Sequence, residues 1–135
     1  MAYVLIVDDD EDFSSAVSTV VTSAGHEVVT CETTKAALVS VRNRRPDLMI
    51  LDVMFPENES AGFDFAREIQ AQAKVSNEKI PILMLTAINT KSPVGFNSRD
   101  IDDAWLPVED FVEKPVDLSV LISKVTRLLE KYNRL

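Results

Sequence analysis

Residues 46–56 read Pro-Asp-Leu-Met-Ile-Leu-Asp-Val-Met-Phe-Pro. Pro46 stops any helix that reaches it. Leu48 to Leu51 is then an unbroken apolar run of strand length, closed by the carboxylate of Asp52. A strand that is apolar at every position is buried on both faces, the habit of parallel strands covered by helices on either side. Tyr3 to Val7 and Pro81 to Leu85 have the same character, with Pro81 at a strand start where a missing N–H is tolerated. Three such runs predict a parallel sheet.

The segments between them carry helical spacing. Phe13, Ala16, Val17, Val20, Val21 and Ala24 make one stripe, with Gly25 as the stop signal. Thr33 or Thr34 caps a second helix that runs to Arg44 or Arg45. A third is expected from about 61 to 73. Asp117 caps a last one with Leu118, Leu121, Ile122, Val125, Leu128 and Leu129 on one face. Val28 to Cys31 reads as a short strand near a sheet edge, and Val108 to Val112 as a fifth strand. Repeated strand–helix alternation over 135 residues predicts one doubly wound α/β domain, with little room for a second.

Charge and composition narrow the function. With 14 basic against 22 acidic residues, the net charge of −8 repels nucleic-acid phosphates, so no DNA partner is expected. No apolar run approaches the roughly 20 residues of a membrane span, and no basic leader precedes Tyr3, so a cytoplasmic protein without a membrane partner is expected. Cys31 is the only cysteine and reads as a small core residue. His26 is the only histidine and reads as solvated at a helix–strand turn.

In doubly wound folds the active crevice lies beyond the carboxyl ends of the strands. There the sequence places Asp8, Asp9 and Asp10 after strand one, Asp52 after strand three, Thr86 after strand four and Lys114 after strand five. If strands one and three are neighbours, three carboxylates crowd together and repel unless a cation neutralises them. An all-oxygen site with room for water suits Mg²⁺. Acidic residues after a strand also serve as caps, and Asp10, Glu11 and Asp12 favour the amino end of the first helix. The combination on separate strands is what suggests a site for a metal and a phosphoryl group together.

Val-Asp-Asp at 7–9, Leu-Asp-Val-Met-Phe-Pro at 51–56, Leu-Thr-Ala at 85–87 and Glu-Lys-Pro at 113–115 resemble, in order and approximate spacing, the signature of receiver domains of bacterial two-component response regulators. The resemblance implies a flavodoxin-like sheet of five parallel strands in the order 2-1-3-4-5, with helices on both faces. It implies Asp52 as phosphoacceptor, and Mg²⁺ or Mn²⁺ held by Asp8, Asp9, Asp52 and the main-chain carbonyl of Met54, Asp8 mainly through water. Lys114 would pair with a phosphoryl oxygen, and Thr86 and Phe111 would form the switch pair. A histidine kinase or histidine phosphotransfer protein would donate the phosphoryl group to a stand-alone signalling module, not an enzyme, which then docks to a downstream protein or relays the phosphate.

The chain departs from the family pattern in three places. Five residues, Glu57 to Ala61, separate Pro56 from Gly62, a longer and more acidic loop than usual. The stretch from Thr86 to Lys114 is also longer, with Leu106-Pro107-Val108 where the family has Gly-Ala. Residues 88–107 hold Pro93 and Gly95 and show helical spacing only from Ser98 to Trp105, so a long mobile, partner-facing loop with a stub helix is expected. No output domain follows the last helix, so signalling by docking is expected. Other readings are a phosphorylation-independent interaction module, an aspartyl-phosphate phosphatase, and a nucleotide or flavin binder. The phosphatase reading wants a second carboxylate where Met54 stands, and the binder wants a glycine-rich loop in a chain of three scattered glycines.

Overall fold

The computed structural model describes residues 2–52, 65–71, 80–87, 110–114, 117–132 and 134, with the backbone alone at 86, 87, 110, 111, 113 and 114. In chain order these form β1 (Tyr3–Val7), α1 (Glu11–Ser23), β2 (Glu27–Cys31), α2 (Thr34–Asn43), β3 (Leu48–Asp52), the helical stretch 65–71 termed α3, β4 (Ile82–Ala87), β5 (Asp110–Lys114) and α4 (Leu118–Lys131). The strands make one parallel sheet ordered β2-β1-β3-β4-β5.

Strand periodicity divides the core in two, because successive side chains point to opposite faces. Val4, Ile6, Leu48, Ile50, Leu83 and Leu85 pack with Val17 and Val21 of α1 and Leu121, Val125 and Leu129 of α4. Their alternate neighbours Leu5, Val7, Met49, Leu51, Ile82 and Met84 pack with Ala37 of α2 and Phe65, Ala66 and Ile69 of α3. Helices therefore cover both faces, and the apolar runs are apolar throughout because neither face meets water.

The helix ends follow local chemistry. Asp10 Oδ1 accepts from the Phe13 N–H at 3.1 Å, Thr33 Oγ1 from the Ala36 N–H at 3.0 Å, and Asp117 Oδ1 from the Ser119 N–H at 2.9 Å. Each such cap contributes about 1 kcal/mol. Gly25 turns the chain out of α1 with φ of +95°, a conformation that side chains disfavour. Gln70 of α3 donates through Nε2 to the Ile80 carbonyl at 2.8 Å and so ties α3 to the approach to β4.

Several expectations need correction. The expected start of β5 at Val108 lies outside the described residues, and the strand runs past Val112 through Lys114 because pairing with β4 carries it beyond its apolar residues: Leu83 faces Asp110, and Ala87 faces Lys114. β4 starts after Pro81 and includes Thr86, β2 starts one residue early at Glu27, and α2 ends at Asn43. In α1 the buried stripe is Ser14, Val17 and Val21, while Ala16 and Ala24 face solvent. His26 is buried, not solvated: its Nδ1 accepts from the Ala2 N–H at 3.3 Å, and burial first, then the chain's amino terminus, lowers its pKa from the ordinary 6.5. Cys31 is buried in the α2-side core as expected, and burial raises its thiol pKa against the opposing hydrogen bond with Ser40. β2 does lie at the sheet edge.

Candidate cation and phosphoacceptor site

β1 and β3 are hydrogen-bonded neighbours, with Val7 opposite Leu51. Asp8 and Asp52 each stand one residue further on, at the carboxyl end of the sheet. They continue the rows Val4–Ile6 and Leu48–Ile50, so the pattern that fills the core ends at this edge in two carboxylates. Asp8 is 1% exposed and Asp52 2%, whereas Asp9 is exposed. One carboxylate oxygen from each of the three lies within 4.8 Å of the others.

The two roles open to the Asp8–Asp12 run are separated by residue. Asp10 caps α1, with Glu11 and Asp12 in its first turn, while Asp8 and Asp9 turn to Asp52. Withdrawing a carboxylate from water costs several kcal/mol before compensation, against the ~1 kcal/mol that a cap returns. Capping therefore does not account for burying Asp8 beside Asp52. The Asp8 main chain is fixed by its N–H donating to the Cys31 carbonyl at 3.0 Å, and Asp8 Oδ1 accepts the Asp10 N–H at 2.9 Å. The motif reading missed both contacts. Asp8 itself carries a signal for the second, since Asp side chains often bond the main chain two residues on. Nothing in the sequence points to Cys31.

The donor set suits a hard divalent cation, being all oxygen and anionic. Oxygens bound to one Mg²⁺ lie at most about 4.2 Å apart. A spread of 4.8 Å thus fits direct ligands together with one acting through water.

The sheet register also carries the other expected residues toward this edge. Leu85 is level with Asp52, Thr86 follows it and faces Glu113, and Lys114 ends β5 opposite Ala87. Phe111 faces Met84. The side chains of Thr86, Phe111 and Lys114, the carbonyl of Met54, the loop 57–61 and the segment 88–107 lie outside the described residues. The switch pair and the partner-facing loop fall there.

A family model described as the response regulator receiver domain matches residues 4–126. The transcriptional regulatory protein AfsQ1 of Streptomyces coelicolor is 32% identical over 136 residues, covering 99% of this chain and 54% of that protein. The DNA-binding dual master transcriptional regulator RpaA of Synechocystis sp. is 30% identical over 138 residues, covering all of this chain and 52% of that one. The chain spans about half the length of these curated relatives. Among solved structures, the Vibrio cholerae chemotaxis protein CheY4 superposes with a TM-score of 0.77 at 29% identity, covering 96% of this chain and 99% of that one. Among the described residues no helix is long and apolar enough to cross a membrane.

Proposed function

The chain belongs to the response regulator receiver domain family of two-component systems, and from that premise we propose that it accepts a phosphoryl group on Asp52 from a histidine kinase or histidine phosphotransfer protein. The observation that carries the proposal is the convergence of Asp8, Asp9 and Asp52 within 4.8 Å at the carboxyl end of β1 and β3. In the transfer a carboxylate oxygen of Asp52 attacks phosphorus, the P–O bond forms, and the P–N bond to the donor imidazole breaks. Asp9, Asp52 and the Met54 carbonyl would hold Mg²⁺ or Mn²⁺ directly and Asp8 mainly through water, and the ion would supply neutralising charge for the phosphoryl oxygens. Lys114 pairs with one phosphoryl oxygen, and Thr86 donates a hydrogen bond to another. Thr86 and Phe111 then pass the change to a docking surface. The chain is a signalling module in this reading, not an enzyme, and it works in the cytoplasm.

The test is intact mass after incubation with acetyl phosphate and Mg²⁺. One added phosphoryl mass is expected, and Asp52→Asn abolishes it. Unchanged labelling in that variant refutes the assignment.

Two settings for the module follow from the relatives. CheY4 is matched over nearly its whole length, which supports a stand-alone receiver that docks to a separate protein. AfsQ1 and RpaA are matched over about half, which supports a receiver joined to a transcriptional output segment, with DNA contacts made by that segment and not by this acidic domain. The mass of the native protein in its cell separates them: about 15 kDa for the first, roughly twice that for the second.

A further inference from the structure

We propose that Asp10 is a positioning residue for the cation pocket, its main-chain N–H setting the orientation of the Asp8 carboxylate. The inference rests on the reading of Asp8, Asp9 and Asp52 as the cation site. Asp8 Oδ1 accepts the Asp10 N–H at 2.9 Å, within a side chain that is 1% exposed. The donor is itself held from the helix side. Asp10 Oδ1 accepts from the Phe13 N–H at 3.1 Å, and the Asp10 carbonyl accepts from the Ser14 N–H at 2.9 Å. With φ of −86° and ψ of 103°, Asp10 is extended, so its carbonyl and side chain serve α1 while its N–H serves the strand end.

One residue thereby joins two bodies. α1 is anchored in the core through Val17 and Val21, and Asp8 ends a row that begins with Val4 and Ile6. A donor fixed to a packed helix holds one oxygen of Asp8 and with it the plane of the carboxylate. Ligands oriented in this way by outer partners lose about 10- to 100-fold in metal affinity when the partner is removed. The Asp10 carboxylate is outside the three-carboxylate group, so its part is to hold the donor still.

A cap with no further role changes stability and leaves cation affinity alone, and that difference makes the test. Mn²⁺ affinity of the full chain is read by electron paramagnetic resonance. Replacing the peptide bond between Asp9 and Asp10 by an ester removes the N–H and keeps the side chain, and a loss of roughly tenfold is expected. Asp10→Ala is expected to weaken binding less, and Asp10→Ser, an equivalent cap, to restore it. Thr33→Ala removes the corresponding cap of α2, far in sequence from the pocket, and should lower the melting temperature with Mn²⁺ affinity unchanged. Equal affinity in the ester variant, or equal weakening by Thr33→Ala and Asp10→Ala, overturns the proposal.

Absent Mn²⁺ binding by the wild-type chain, or binding indifferent to Asp9→Ala, refutes the cation-site reading instead. Hydrogen exchange at the Asp10 amide then decides the positioning contact alone, and it serves equally if the ester variant does not fold. Protection in the wild type that is lost in Asp8→Ala supports the contact, and an unprotected amide in the wild type overturns it.

Discussion

Tyr3 and Asp47 hold one another through two hydrogen bonds of 2.8 Å: the Asp47 N–H donates to the Tyr3 carbonyl, and the Tyr3 N–H donates to Asp47 Oδ2. The pair closes the β1–β3 ladder one step before Val4 meets Leu48. These are the two strands whose other ends lead to Asp8 and Asp52. Arg134 reinforces the pair from beyond α4, its Nη1 donating to the Asp47 carbonyl at 2.9 Å. Arg44 lies over the Tyr3 ring at 4.1 Å and pairs with Glu27. The amino end of the sheet is thus tied by contacts from β2, α2 and the chain after α4, opposite the end that gathers the carboxylates.

Asp47→Ala deprives the Tyr3 N–H of its acceptor, and a loss of roughly 1–2 kcal/mol is expected from an unsatisfied donor of this kind. Urea unfolding should show a lower midpoint at constant slope. Asp47→Asn keeps an acceptor oxygen and should recover most of the loss. An unchanged midpoint in Asp47→Ala would show that the second hydrogen bond carries no weight.

The carboxylate cluster predicts opposite effects of one substitution in two media. In EDTA, Asp52→Asn removes a like charge beside Asp8 and Asp9 and should raise stability by about 1 kcal/mol or more. Millimolar Mg²⁺ should stabilise the wild type by mass action and the variant much less. Thermal melts in both media check this, and a variant less stable than wild type in EDTA contradicts it.

His26 predicts a pH dependence. Its pKa in the fold lies below the 6.5 of an ordinary histidine, so between those two values the unfolded chain binds the extra proton. Its contribution to stability is complete above about 6.5 and is lost as the pH falls from there to the folded value, with a slope of at most about 1.4 kcal/mol per pH unit. Protonation of Nδ1 also removes the acceptor for the Ala2 N–H. Urea midpoints taken across this range should fall in the wild type and stay flatter in His26→Gln. A slope shared by both chains would assign the effect to other groups.

Cys31 should react slowly with a thiol reagent at neutral pH, because burial both raises its pKa and blocks access. The labelling rate should follow unfolding as urea is added. Rapid stoichiometric labelling of the native chain would contradict its burial.

Much of the architecture was legible because hydropathy is local. Leu48 to Leu51 and Tyr3 to Val7 are apolar at every position, which a strand covered on both faces requires, and the caps at Asp10, Thr33 and Asp117 are side chains answering nearby main-chain donors. A carboxylate after such a run is equally visible, so Asp8, Asp9 and Asp52 could be named from the sequence. Short length and polar flanks also signalled the edge position of β2, and Gly25 the stop of α1.

Tertiary structure decided the rest. That Asp8 and Asp52 stand level follows from the β1–β3 register, and register is a relation between residues more than 40 positions apart. Pairing with β4, not apolar content, carried β5 past Val112 to Lys114. His26 sits in a turn by sequence, yet it is buried, and the Ala2 N–H just before β1 donates to it. The division of labour among Asp8, Asp9 and Asp10 is likewise a tertiary property. Composition shows how much charge a segment carries, but the direction in which each carboxylate and N–H points is set by the packing of α1 against the strand end.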